Sequence, residues 1–189
     1  MADTNRIAGV IGMIGGTLWA LVPFLDDLFP FYMKTLAIIP ILLALAVYGI
    51  WSQNKHDISR VDIAPLISGF GLLAIVALWY ATISTGNVAA TFAIGIPALI
   101  GLLFIGIGSI LLAYRLRIVR GLPRWIAFLF ALALPTDPLF NAVVTPVIGG
   151  GISLYGLAWI VLGVHLWRDS HPGIEQSQFN ESQSLLCYL

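Results

Sequence analysis

Long apolar runs alternate with short polar breaks along almost the whole chain. A helix that crosses a bilayer needs about 20 mostly apolar residues, and six segments meet that requirement. They are Ile7–Leu25, Thr35–Trp51, Ile63–Ile83, Thr91–Tyr114, Arg124–Val143 and Val147–Trp167. The pattern predicts an all-α, polytopic membrane protein with six transmembrane helices over residues 1–168. A polar tail follows over residues 169–189, and we expect it to be disordered and cytoplasmic.

The composition supports a lipid-facing chain. Of 189 residues, 59% are apolar and 10% are charged, whereas soluble domains carry about 45–50% apolar and about 25% charged residues. So few charges cannot cover a water-facing surface, which disfavours an aqueous enzyme or a disordered chain. The formal net charge is zero, so the chain has no basic surplus for binding nucleic acid.

The basic residues indicate an orientation. All of them except Lys34 fall at one side of the predicted spans: Arg6, Lys55, Arg60, Arg115, Arg117, Arg120, Arg124 and Arg168. Cytoplasmic loops carry the excess of Lys and Arg in multi-pass proteins. We therefore expect both termini in the cytoplasm, and the small size favours a prokaryotic plasma membrane.

The first four spans contain a weak internal repeat. The offset that carries Gly15 onto Gly71 also carries Thr35 onto Thr91, and fainter matches continue into the last two spans. The repeat predicts three tandem two-helix hairpins, all entering the membrane in the same direction. The alternative is coincidence, because apolar helices draw on a small alphabet.

Small and aromatic residues predict how the bundle packs. Ala8, Gly12 and Gly16 lie on one stripe of the first span, and such a stripe lets a second helix approach closely. We expect it to pack inside the monomer rather than between two copies. Trp19 and Trp159 lie deep within spans, where packing between helices is favoured over stacking on a ligand.

One acidic residue falls inside a predicted span. Asp137 lies in the segment Leu134-Pro135-Thr136-Asp137-Pro138-Leu139-Phe140-Asn141, roughly 20 Å along the helix from Arg124. A carboxylate in hydrocarbon must be protonated, paired or in contact with water. Pro135 and Pro138 both remove a backbone donor. Asp137, Thr136, Asn141 and the two prolines therefore form a candidate intramembrane polar site for a proton or cation.

The same segment has an alternative interpretation. The fifth helix could end at Leu134, so that residues 135–145 form an outer loop in which Asp137 caps a turn.

Two further groups of charges are weaker candidates. Asp26 and Asp27 could form an outer mouth of a cation path, although acids solvated in a loop are favoured. The second group is a basic inner loop that sets the topology, and it comprises Arg115, Arg117, Arg120 and Arg124.

The sequence offers little catalytic chemistry. His56, His165 and His171 have no metal-ligand spacing, and the spans hold no paired acids or nucleophile with a base. We predict no catalytic, cofactor or metal residues.

The composition favours a non-enzymatic structural or partner-binding membrane protein. The alternative is a small transporter or channel-like protein for a proton, cation or small solute, with Asp137 at its polar site. The expected partners are the lipid bilayer and either another protein or a second copy, and not nucleic acid.

Overall fold

The chain folds into helices connected by short segments. A computed structural model describes the backbone of residues 2–25, 37–83, 88–120, 122–143 and 150–169, and the side chains of residues 4–22, 37–80, 95–119, 122–133 and 153–168. Within that part there are six helices and no strand. They are α1 (Ala2–Leu25), α2 (Ile38–Gln53), α3 (Arg60–Ile83), α4 (Val88–Arg120), α5 (Arg124–Val143) and α6 (Gly150–Asp169).

The helices match the predicted spans closely, and one difference is informative. Helix α5 has the bounds predicted from the apolar pattern. Helix α4 has 33 residues and continues through Arg115 and Arg117 to Arg120. The prediction that these arginines lie in a loop is therefore wrong. Arg is a good helix former, so the helix continues after the apolar run has ended.

Three helices within the described residues are long and apolar enough to cross a membrane. Their apolar stretches are Thr4–Val22, Arg60–Tyr80 and Gly95–Val119. Ile38–Gln53 and Arg124–Ala133 form shorter apolar helices. These helices support the assignment of the chain as a membrane protein.

Large apolar side chains cover the outside of the helices. On α1 they recur every three or four residues, as one stripe of a helix does: Ile7, Val10, Ile14, Leu18 and Leu21. On α4 the stripe comprises Leu99, Leu103, Ile107, Ile110 and Tyr114. Soluble monomers rarely expose continuous apolar surface of this extent, so this outer surface fits contact with lipid.

The six helices form a closed ring. Each helix packs against the next one along the chain, and α6 returns to pack against α1. The contacts between α1 and α6 are the most extensive, followed by those between α3 and α4. Chain order therefore equals order around the bundle, which is the topology that short connections favour.

Glycines allow the close approach of α1 and α6. A Cβ on Gly16 would lie 2.7 Å from the carbonyl oxygen of Gly156, and one on Gly163 would lie 2.5 Å from the carbonyl oxygen of Gly9. Ser153 Oγ also donates to the Ala20 carbonyl across this interface, at 3.2 Å. The predicted small-residue stripe of α1 thus packs inside the monomer, as expected.

A second glycine interface joins α3 to α4. A Cβ on Gly69 would lie 2.6 Å from the carbonyl oxygen of Gly101, and one on Gly108 would lie 2.6 Å from the backbone nitrogen of Leu66. The repeat-related pair Gly15 and Gly71 behaves differently. A Cβ on Gly15 would meet Leu43 at 2.8 Å, whereas one on Gly71 would meet nothing within 4 Å. Residues paired by the repeat therefore have different packing roles.

Candidate functional site

Five aromatic rings fill the centre of the ring of helices. They come from four helices: Trp19 of α1, Phe70 of α3, Phe130 of α5, and Tyr155 and Trp159 of α6. Neighbouring ring centroids lie 5.6–6.4 Å apart, and most pairs are edge-to-face or tilted, the arrangements that aromatic quadrupoles favour. We call this group the aromatic centre. Trp19 and Trp159 pack between helices, as predicted.

One buried hydrogen bond ties the aromatic centre to α4. Ser109 Oγ and the Tyr155 hydroxyl lie 2.8 Å apart, and both residues are almost fully buried. A hydroxyl transferred from water into an apolar interior must find a partner, because an unpaired one costs about 1–3 kcal/mol. The pair therefore fixes how α4 and α6, which are not neighbours in the ring, face each other.

Asp137 lies within a continuous helix. Because α5 runs from Arg124 to Val143, the alternative in which the helix ends at Leu134 is wrong. Asp137 comes seven residues after Phe130 of the aromatic centre, which places it about 10 Å further along the axis of α5. The side chains of Asp137, Thr136, Asn141, Pro135 and Pro138 lie outside the described ones.

The two prolines modify the backbone just before Asp137. Pro135 and Pro138 have no N–H, so the carbonyls of Ala131 and Leu134 lack their usual helical donor. Membrane helices tolerate such positions when other groups bind the carbonyls that are left over. The result is two backbone acceptors about one helical turn apart on α5, between Phe130 and Asp137 along the chain.

The basic residues gather at one end of the bundle, which we call the basic end. Asp62, near the start of α3, pairs with Arg115 near the end of α4, at 3.1 Å between Oδ2 and Nε. The Arg6 guanidinium lies 5.7 Å from the ring centroid of Trp167, which brings the start of α1 to the end of α6. These contacts join the start of α3 to the end of α4 and the start of α1 to the end of α6.

The connection between α2 and α3 at the basic end is well ordered by hydrogen bonds. The Ser59 hydroxyl accepts from the Val61 N–H at 3.1 Å, while Asp62 Oδ2 accepts from the Ser59 N–H at 3.1 Å. This reciprocal arrangement is a variant of the capping box, in which Ser59 accepts from the second rather than the third residue after it, and it satisfies two donors at the start of the helix. Asp62 thus caps α3 and pairs with α4 at the same time.

Asp26, Asp27 and Lys34 lie outside the described residues, as does the tail from residue 170 onward. In the part of the chain whose side chains are described, no three His, Cys, Asp or Glu residues come together in a group that could hold a metal ion.

Sequence reasoning missed Ser109 and Tyr155. Ser109 interrupts the apolar run of α4, and Tyr155 lies in the first half of α6. Two hydroxyl side chains deep in separate spans were the available signal, but their pairing depends on how α4 and α6 are rotated.

Comparison with protein-family models, curated proteins and solved structures finds no match to this chain.

Proposed function

We propose that the chain is a multi-pass integral membrane protein whose six helices all cross the bilayer, and that it acts without catalysis as a structural or partner-binding component. The observation that carries the proposal is the combination of an apolar outer surface on every helix with an aromatic centre that fills the axis of the ring.

The outer surface supports six spans rather than three. Each helix exposes a large apolar side chain, for example Ile14, Leu45, Leu78, Leu103, Phe128 and Leu157 from α1 to α6 in turn. Helices packed side by side in one ring share the same surroundings. The shorter ones would therefore meet hydrocarbon wherever the longer ones do, and hydrocarbon requires helical backbone.

The filled axis favours a structural role over transport. Phe70, Tyr155 and Trp159 are almost fully buried in the middle of the bundle, and the Trp159 ring packs against the other two. A solute that passed along this axis would have to displace the aromatic centre. A packed centre instead gives a rigid body that presents its outer surface to lipid or to a partner helix.

Charge and connectivity give the proposed topology. The basic end faces the cytoplasm, as the excess of Lys and Arg directs. Both termini are then cytoplasmic, and the helices form three tandem hairpins that enter the membrane in the same direction. The charge pattern and compact size fit a prokaryotic plasma membrane.

Cysteine labelling tests this topology. In a Cys187→Ser background, a membrane-impermeant maleimide should label Lys55→Cys only from the cytoplasmic side. It should label Asn87→Cys only from the opposite side. Labelling of both positions from the same side would overturn the proposal of six spans.

A second candidate function is proton or cation transport through Asp137. It is favoured by the continuity of α5 through Val143, which keeps residue 137 within the helix, a few residues after two backbone carbonyls that lack helical donors. A path would reach Asp137 from the end of the bundle opposite the basic end, and transport would require the aromatic centre to open.

Proteoliposomes distinguish the two functions. The structural role predicts that the reconstituted protein leaves an imposed pH gradient unchanged, as protein-free vesicles do. The transport role predicts dissipation of the gradient that Asp137→Asn abolishes and Asp57→Asn, in the exposed connection between α2 and α3, retains. Dissipation with that pattern would overturn the structural role.

A further inference from the structure

A groove opens on the outer surface of the bundle, between α2 and α3 at the basic end. Its volume is ≈ 450 Å³, which lies in the range of about 300–1,000 Å³ typical of small-molecule sites. It is lined by Tyr48 and Trp51 of α2 and by Arg60, Ile63, Ala64, Ile67 and Ser68 of α3. The Ser68 hydroxyl donates to the Ala64 carbonyl of its own helix at 2.7 Å, so the groove is charged at one end and mostly apolar along its length.

We propose that this groove binds one anionic phospholipid, with its headgroup phosphate on Arg60 and an acyl chain along Ile63, Ala64 and Ile67. The proposal rests on the membrane embedding proposed above, and it concerns a site separate from Asp137. Charge complementarity identifies the occupant. Arg60 places one positive charge at the end of an apolar groove, and an anionic phospholipid has its negative charge at the end of its apolar chains.

The polar end of the groove is built to hold a phosphate. The Arg60 guanidinium lies 5.2 Å from the ring centroid of Trp51, and the rings of Trp51 and Tyr48 lie 5.7 Å apart. Stacking on an aromatic face restrains the guanidinium while leaving its N–H donors available. Tyr and Trp are also the residues that favour the membrane interface.

The neighbouring acid does not neutralise Arg60. Asp62 is two residues further along α3, but its carboxylate accepts from the Ser59 N–H and pairs with Arg115 of α4, both through Oδ2. Among the described residues, no ion pair joins Arg60 to a carboxylate. Its charge therefore remains available to an anion from the membrane.

The apolar length of the groove fits an acyl chain. Arg60, Ala64 and Ile67 recur at helical spacing, so they lie on one side of α3. From Arg60 to Ile67 the groove runs about 10 Å toward the middle of the membrane. Ala64 is exposed and has the small side chain that keeps the groove open between Ile63 and Ile67.

Lipid binding by the purified full chain tests the proposal. Native mass spectrometry from nonionic detergent micelles would measure binding of the first phosphatidylglycerol or phosphatidylcholine molecule, with identical acyl chains. We expect phosphatidylglycerol to bind more tightly. Arg60→Gln should reduce that preference about fivefold, the effect of one basic residue at an anionic membrane surface. Arg117→Gln, which removes an exposed charge from α4 at the same end, should leave the preference unchanged.

A second variant tests the apolar length of the groove. Ala64→Phe should weaken binding of both lipids by filling the groove, without changing any charge. Because Arg60 and Ala64 are exposed, both variants should keep the wild-type helical circular dichroism and unfolding midpoint.

Several outcomes would overturn the lipid site. They are equal affinity for the two lipids, equal losses in Arg60→Gln and Arg117→Gln, and an unchanged affinity in Ala64→Phe. Displacement of the lipid by millimolar inorganic phosphate would also overturn it, in favour of a site for the free ion. Release of the protein from membranes by alkaline carbonate would instead contradict the membrane embedding itself, so the two failures are distinguishable.

Discussion

Ser109 and Tyr155 form a hydroxyl pair across the middle of the bundle, with 2.8 Å between their oxygens and almost no exposure to solvent. They come from α4 and α6, which are separated by α5 in the ring. The pair is a polar contact within an aromatic and aliphatic interior. It therefore fixes the rotation of two helices whose surfaces are otherwise almost uniformly apolar.

Removing either hydroxyl should have unequal effects. Ser109→Ala leaves the Tyr155 hydroxyl buried without its partner, so we expect a loss of about 1–3 kcal/mol. Tyr155→Phe should cost less, because a helical serine can donate to the carbonyl four residues earlier. The free energy of unfolding, measured by sodium dodecyl sulfate titration in mixed micelles, checks both variants. Additive losses in the double variant would contradict the pairing.

Gly156→Ala should destabilise the bundle strongly. The added Cβ would lie 2.5 Å from the Ala20 nitrogen and the Gly16 carbonyl oxygen, and backbone atoms cannot move aside as a flexible side chain can. Overpacking of this kind costs about 1–3 kcal/mol. The matched control is Gly71→Ala, whose Cβ meets nothing within 4 Å. It should be neutral or gain up to about 1 kcal/mol from helix propensity. Equal unfolding midpoints for the two variants would refute the close interface.

Two phenylalanines on α5 offer a test of the aromatic centre. Phe130 is 3% exposed and contacts Tyr155 and Trp159, whereas Phe128 is 62% exposed. Phe130→Ala should cost about 3–5 kcal/mol in unfolding free energy, because it leaves a cavity. Phe128→Ala should cost much less, since its side chain lies on the outer surface and its removal leaves no cavity inside the bundle. If the centre seals the axis, Phe130→Ala should also increase ion leakage through proteoliposomes, and Phe128→Ala should not.

Asp62 has two partners, and two substitutions separate their effects. Asp62→Asn keeps an oxygen to accept from the Ser59 N–H but removes the ion pair with Arg115. Because the Arg115 side chain is 42% exposed, this loss should be at most about 1 kcal/mol and should shrink at high salt. Asp62→Ala also removes the acceptor for the Ser59 N–H, which adds about 1 kcal/mol. Thermal unfolding at low and high salt measures both, and identical losses would exclude a capping contribution.

The apolar pattern predicted the number and approximate extent of the helices because each segment must satisfy its own backbone and bury its own apolar surface. The bounds of α5 agreed with the prediction because Arg124 is the first residue of the helix and the apolar run follows it directly. The end of α4 did not agree, because hydropathy falls at Arg115 while helix propensity does not. The length of the apolar stretch of a helix and the length of the whole helix are therefore separate quantities.

The face by which a helix packs against its neighbour could be predicted only where small residues lie along that face. Gly12 and Gly16 indicated a close interface on α1, and the structure places it against α6. Helices such as α2 and α3 are apolar on all sides, so periodicity gives no preferred face. The Ser109–Tyr155 pair and the groove beside Arg60 both depend on helix rotation. Neither follows from the spacing of residues along a single helix.

The most extensive interface in the bundle joins α1 to α6, and this has a consequence for biosynthesis. During translation α1 is made well before α6, so Gly9 and Gly16 spend that interval without the helix they pack against. The early helices can pair as they emerge, but the ring closes only when Gly156 and Gly163 arrive. The growing bundle therefore has an open side until α6 is made, so the synthesis of α6 is the step that closes the ring of described helices.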